Sequence, residues 1–192
     1  MADNNKVEFG ISNLHIGTFT ASAAGVVTLG IPYHLPGAKT LSLDPEGNSN
    51  DFFADNVKYW SGFSDNGFSG SMEVARFTTE FKTQFAGYMA LADGGLAYIK
   101  GSNKPSVYLI FQAEGDVESR RVILYNVAFG GIKREFATIE DKKNPATESV
   151  DLTASGDNST GITMVSYKPA DSGYATLFSS PPVPTLPTEP ES

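Results

Sequence analysis

The chain contains no cysteine. That excludes a disulfide framework, a thiolate metal site and a cysteine nucleophile, and it leaves the redox compartment open. Histidine is nearly as scarce, with only His15 and His34 in 192 residues. Charged residues make up 19% of the chain and carry a net charge of −8. A protein that grips nucleic acid by neutralising phosphates needs clustered Lys and Arg, so that class is excluded. The same balance suits a soluble surface, or one that repels DNA. No run approaches the roughly 20 apolar residues of a membrane span. The opening Met1–Lys6 is polar and lacks the apolar stretch of a signal peptide, so synthesis in a cytoplasm is expected. Neither a Gly-x-Ser-x-Gly elbow, a P-loop nor a His-Glu-x-x-His pair occurs, leaving acyl transfer and metal-assisted hydrolysis without visible apparatus.

What is present is 40% hydrophobic residues, 19 Gly and 13 Phe, in short apolar runs cut by turn residues. That rhythm predicts a mainly β domain. Expected strands are Lys6–Ile11, Leu14–Thr20, Gly25–Ile31, Val57–Phe63 and Phe68–Phe77, then Ser106–Ala113, Val117–Phe129, Ser149–Ala154, Gly161–Tyr167 and Tyr174–Phe178. Strict alternation around Ser149–Ala154 points Val150, Leu152 and Ala154 to a core and Ser149, Asp151 and Thr153 away from it. Ser106–Ala113 and Val122–Phe129 are nearly continuous apolar runs, as in strands covered on both faces. A type II′ turn at Gly115-Asp116 between them would pair Leu109 with Val122 and Val107 with Leu124.

One segment predicts a helix of two to three turns. Thr78 and Thr79 offer N-caps, Glu80 suits the first turn, and Phe81, Phe85 and Tyr88 recur at i, i+4 and i+7 before Gly87. Two stretches read as non-core. Residues 32–55 form a long connection, holding Pro32 and Pro36 around His34 and then Asp44-Pro45-Glu46-Gly47. Connections of that length are functional or disordered. The last fourteen residues hold five of the eleven prolines and read as an extended tail. The expected division is therefore a β domain over 1–178 and a Pro-rich tail over 179–192.

Few residues suggest chemistry. His15 within a strand and His34 in a proline-bounded loop read as packing or surface residues. Asp44, Glu46, Asp51 and Asp55 are rich in oxygen donors, but their spacing does not match an EF-hand, and a solvated or subunit-contacting role fits better. From Leu41 to Asp65, five acids against Lys58 give −4, half the net charge of the chain. Tyr59, Trp60 and Phe63 could stack on a sugar, although alternation puts Tyr59 and Trp60 on opposite faces. Arg120, Arg121, Lys133, Arg134, Lys142 and Lys143 are interleaved with Glu118, Glu135, Glu140 and Asp141. That mixture reads as a solvated face or a set of inter-subunit ion pairs.

The stretch from Pro36 through Asn56, with Lys39-Thr40-Leu41-Ser42-Leu43-Asp44-Pro45-Glu46-Gly47 at its centre, resembles the phi-thirteen type of major tail protein. This family builds the long non-contractile tails of phages (siphoviruses) that infect Gram-positive bacteria. Val7–His15, Asn66–Ala75 with the following short helix, and Phe111–Asp116 with Arg120–Asn126 are similar too, so the resemblance covers most of the chain. It implies a β-sandwich or partial barrel with one short flanking α-helix, and no enzymatic activity or cofactor. It also implies hexameric rings with a shared inner β-barrel, stacked into a tail tube through which DNA is ejected. Implied partners are further copies of the chain, a tape measure protein, and tail terminator or distal tail proteins. The implied location is the virion tail, after assembly in the host cytoplasm. The family's inter-subunit or inter-ring loop falls on residues 32–55, with Leu41, Leu43, Asp44, Glu46, Asn48, Asn50, Asp51, Phe52 and Phe53 as expected contacts. A lumen for DNA should carry few Lys or Arg. A carbohydrate- or receptor-binding β-sandwich is the alternative that the composition leaves open.

Overall fold

Strands form where apolar residues alternate against a core, and in this chain nearly every strand belongs to one sheet. A computed structural model describes residues 10–114, 119–136, 138 and 146–186. Its strands are β1 (Gly10–Ala21), β2 (Val27–Leu29), β3 (Tyr33–His34), β4 (Ala38–Ala54) and β5 (Val57–Val74). After the helix α1 (Thr79–Gln84) come β6 (Tyr88–Ala90), β7 (Leu96–Tyr98), β8 (Val107–Glu114), β9 (Arg121–Arg134), β10 (Glu148–Ala154) and β11 (Met164–Tyr167). The protein is thus mainly β, with one short helix among the described residues. The large antiparallel sheet runs β2-β1-β8-β9-β10-β5-β4, with β3 beside β1 and β11 beside β9, while β6 and β7 form a separate hairpin.

The sheet curls until β1 touches β4, near its two edges. Inside the curl lie Leu14, Ile16, Met72, Val74, Leu109, Leu124, Val150 and Leu152. Alternation on β10 falls as expected, with Val150, Leu152 and Ala154 buried and Asp151 and Thr153 exposed. A second core on the outer face holds Phe19, Val27, Tyr108, Ile110, Ile123, Tyr125 and Leu177. Strands β8 and β9 are therefore buried on both faces, which is why they read as continuous apolar runs.

Two asparagines set the phase. Ile11 and Leu14 face the same core although they are three residues apart, because Asn13 takes φ +52° at a bulge in β1. Likewise Leu124 and Val127 share the inner core across Asn126, at φ +51°. Asparagine enters the left-handed region more readily than most residues, and one extra residue flips every later side chain. Asn126 is held there by its Nδ2, which donates to Gly156 O at 2.8 Å.

One end of the curl is closed by α1. Thr78 is the N-cap, its hydroxyl accepting from Phe81 N at 3.1 Å, and Glu80 sits in the first turn. Phe81 is fully buried and stacks on Phe77 at 4.4 Å between ring centroids, with Phe85 and Phe129 at 5.8 and 5.6 Å. The helix is six residues, shorter than expected, because Tyr88 leaves it to begin β6 after Gly87 at φ +74°. A helix this short owes its stability to packing.

Several expectations are corrected. Leu109 pairs with Leu124, Phe111 with Val122 and Val107 with Val127, a register at least two residues from the expected one. The hairpin closes further back, with Ala113 N donating to Arg120 O, which makes the connection longer than a two-residue turn. Gly115 and Asp116 themselves lie outside the described residues, as does the chain before Gly10. The shift is two residues at Leu109, which keeps inward faces opposite each other, and three at Val107, where the bulge at Asn126 adds one. Gly25–Ile31 shrinks to β2, and β3 and the β6–β7 hairpin were not foreseen. Tyr174–Phe178 is a series of turns rather than a strand. Its conformation is dictated by anchors: Leu177 fills the outer core, and Tyr174 Oη donates to Ser119 O at 2.8 Å. Arg121 lies against the Tyr174 ring at 3.9 Å and the Phe178 ring at 4.6 Å. Packing continues past residue 179, because Tyr125 Oη donates to Pro182 O at 2.8 Å and Pro184 is buried. Residues 187–192 lie outside the described residues.

The two histidines meet across β1 and β3. They are direct cross-strand partners with ring centroids 4.9 Å apart, and Phe178 lies 4.7 Å from His15. Burial and the neighbouring His34 hold the His15 pKa below 6.5, although Asn13 O accepts from its ring and opposes this. The unfolded chain therefore binds this proton more readily than the folded one. Stability should be full above 6.5 and decline as the pH falls below that value toward the folded pKa. Urea midpoints measured on either side of 6.5 check this. His15→Phe should flatten the slope in that window, before the carboxylates begin to titrate.

Candidate functional site

The segment expected to be a long loop is instead the seventeen-residue strand β4, paired with the eighteen residues of β5. Its Asp, Pro and Gly content disfavours strand formation. β4 lies at the edge of the sheet, where a proline needs no partner for its missing N–H. Register shifts at Ala38–Thr40, Pro45–Gly47 and Phe52–Phe53 absorb the misfits. Asp55 and Asn56 close the hairpin with φ +51° and +61°, the backbone of a type I′ turn, whose twist suits a two-residue hairpin loop.

The two halves of this hairpin differ physically. Strand β10 pairs with β5 only from Phe68 to Val74, and there Leu41 and Leu43 of β4 pack against the inner core. Beyond Phe68 the hairpin is two-stranded and leaves the domain as an arm of about 30 Å along β4, at 3.3 Å per residue. An isolated two-stranded hairpin is marginal in water. Its internal support is modest, consisting of the turn, Lys58 Nζ to Asp51 Oδ1 at 2.8 Å, and Asn48 N to Ser64 Oγ at 3.1 Å.

This arm also concentrates exposed apolar surface. Phe52, Phe53, Val57, Tyr59, Trp60 and Phe63 are each between 56% and 77% exposed. Both faces carry rings, since Trp60 and Phe63 lie three residues apart in a stretch of regular register. Two glycines make room for them. A Cβ on Gly62 would lie 2.1 Å from the Trp60 indole, and one on Gly47 would lie 2.6 Å from the Phe63 ring and 2.0 Å from Ser64 O. A monomer exposes contiguous apolar patches of this kind mainly where something else covers them.

Of the expected contact residues, Asp44, Glu46, Asn48, Asn50, Asp51, Phe52 and Phe53 are exposed along β4. Leu41 and Leu43 are half-buried at its root and serve the domain core. The β5 side of the arm, with Val57, Tyr59, Trp60 and Phe63, was not among the expected contacts. Poor apolar alternation on β4 was the only signal that its partner strand would be uncovered. Trp60 and Phe63 fall on opposite faces of the ladder, so the three rings form no single stacking platform. No three His, Asp or Glu side chains among the described residues converge as metal ligands. No helix there is long and apolar enough to cross a membrane.

No protein-family model matches the chain, and no curated protein matches it. Among solved structures it is similar to a chain of the PVC sheath–tube complex of an extracellular contractile injection system in the extended state. That match has 7% identity and a TM-score of 0.47, covering 86% of this chain and 95% of the other. It is similar also to a chain of the anti-feeding prophage cap, described as the cap that terminates the tube. There the identity is 10% and the TM-score 0.48, with 88% and 97% covered. Superposition this loose, at identities this low, carries neither activity nor assembly across.

Proposed function

We propose that the chain is a structural subunit that assembles with copies of itself into stacked hexameric rings, forming the tail tube of a long non-contractile phage tail. The observation that carries this reading is the two-stranded arm, with six large hydrophobic residues exposed and no core beneath them. Such an arm is neither stable nor soluble by its own means, and burial against a neighbour supplies what it lacks. The long unpaired edge of β4 supports the same reading, because ring closure is one way to remove an edge. The resemblance of residues 36–56 to tail proteins supplies the identity of the assembly. DNA would pass through the lumen without sequence-specific contact, consistent with an acidic chain. A tape measure protein and terminator or distal tail proteins would cap and fill the tube within the virion.

One observation favours a second reading. Exposed Tyr59, Trp60 and Phe63 are residues that stack on sugars, as in a carbohydrate- or receptor-binding module. Negative-stain microscopy of the purified protein separates the two. Rings or tubes are the expected result. A stable monomer at high concentration that binds glycans through Trp60 overturns the assembly.

A further inference from the structure

Resting on that reading, we infer that the acidic tip of the arm docks into a cationic cleft at the opposite end of β5, on a second copy of this chain. The cleft, of about 570 Å³, lies where β5 and β9 end and β10 begins, beside α1 and the β6–β7 hairpin, and Arg76, Lys82, Tyr88, Leu96 and Arg134 line it. Three of its lining residues, Phe77, Lys82 and Arg134, converge behind it on Glu148. That carboxylate accepts from Phe77 N at 2.8 Å, Lys82 Nζ at 3.0 Å and Arg134 Nε at 2.9 Å. Burial raises the pKa of Glu148, but these three donors outweigh it and hold the carboxyl below its ordinary range. Glu148 is thus an anion shared by two cations, Lys82 and Arg134, and Arg76 adds a third positive charge to the lining of the cleft. Arg76 carries the outermost of these: it is exposed, and its side chain makes no ion pair among the described residues. On a chain of net charge −8, a cationic hollow is a local exception.

The rim matches the arm in a second way. Met89, Leu91, Tyr98 and Ile99 on and beside the β6–β7 hairpin are 40% to 55% exposed, an apolar border next to the cationic lining. The arm tip has the complementary make-up, with Asp55 exposed at the turn between Phe52-Phe53 and Val57. Asp51 is already engaged by Lys58, so Asp55 is the carboxylate available at the tip. Opposite charge aligned with apolar contact fixes orientation and register in an interface.

Connectivity excludes docking within one chain. The tip precedes the first residue of β5 and the cleft follows its last, so about 55 Å of extended strand separates them. An arm held rigid by its ladder cannot fold back over that distance. The contact must join different patches on two copies. Exchanged reciprocally, this contact would close a two-fold dimer; passed from copy to copy in one sense it is heterologous and generates a ring or an open stack, the form that the tube reading requires.

Charge reversal tests the pairing, read as the concentration at which the purified protein assembles. Arg76→Glu should raise that concentration about tenfold or more, and Asp55→Asn, which retains the turn preference, should raise it too. The swapped pair Asp55→Lys with Arg76→Glu should recover most of the loss. Arg76 is exposed and makes no ion pair among the described residues, so its variant should unfold at the wild-type temperature, which circular dichroism verifies. Assembly of Arg76→Glu at the wild-type concentration overturns the docking site while leaving the tube reading intact. A double variant no better than either single variant also overturns it. A wild-type chain that never assembles overturns both.

Discussion

Replacing Ser49–Phe63 with a two-residue Asn-Gly turn is expected to abolish assembly while leaving the domain folded. Asn48 and Ser64 face each other across the hairpin, so the new turn closes an existing pair without shifting the register nearer the domain. No inner-core residue lies within the excised segment. The melting temperature should therefore stay within about 2 °C of wild type, as for surface changes generally. Assembly should be lost altogether, because the excision removes all six of the exposed hydrophobics on the arm. Trp60 provides an internal reporter, since it is the only tryptophan and is 56% exposed. In the intact chain its fluorescence should shift to the blue on assembly, as the indole leaves water. Tubes formed by the excised variant would remove the arm from the assembly mechanism.

The second large effect concerns the domain itself. Phe81→Ala should cost about 3–5 kcal/mol, the range for removing a fully buried ring and leaving a cavity. At roughly 2–4 °C per kcal/mol for a chain of this size, the midpoint should fall by about 10 °C. The reason is local: Phe81 is stacked on Phe77 and touched by Phe85 and Phe129, so no neighbour can collapse into its place without leaving its own contacts. Phe53→Ala is the matched control. Phe53 is 63% exposed, and its loss should move the monomer's stability by no more than about 0.5 kcal/mol. It should nonetheless weaken assembly. Equal losses of stability from both substitutions would mean that the arm is part of the domain core.

The contrast between these two phenylalanines shows what each level of description decides. By itself the sequence determined the mainly β class, the position of α1 and the faces of β10. Alternation, capping and a four-residue aromatic repeat act over a few residues and are visible in one dimension. It also marked residues 36–56 through their resemblance, but with the wrong local conformation. Strand β4 has a poor composition for a strand and forms because β5 offers it a ladder, a partner that nothing within β4 specifies. The phase changes at Asn13 and Asn126 were hidden for a similar reason. A single left-handed residue leaves no composition signal, yet it reassigns every later side chain to the other core. Only the tertiary structure showed that β10 stops supporting β5 at Phe68, which turns half of a hairpin into an exposed arm. Only it brought Arg76, Lys82, Arg134 and Glu148 together, from three elements and the connection between β5 and α1. Strand pairing and charge convergence depend on distances between residues far apart in the chain, and those distances exist only once the sheet has closed.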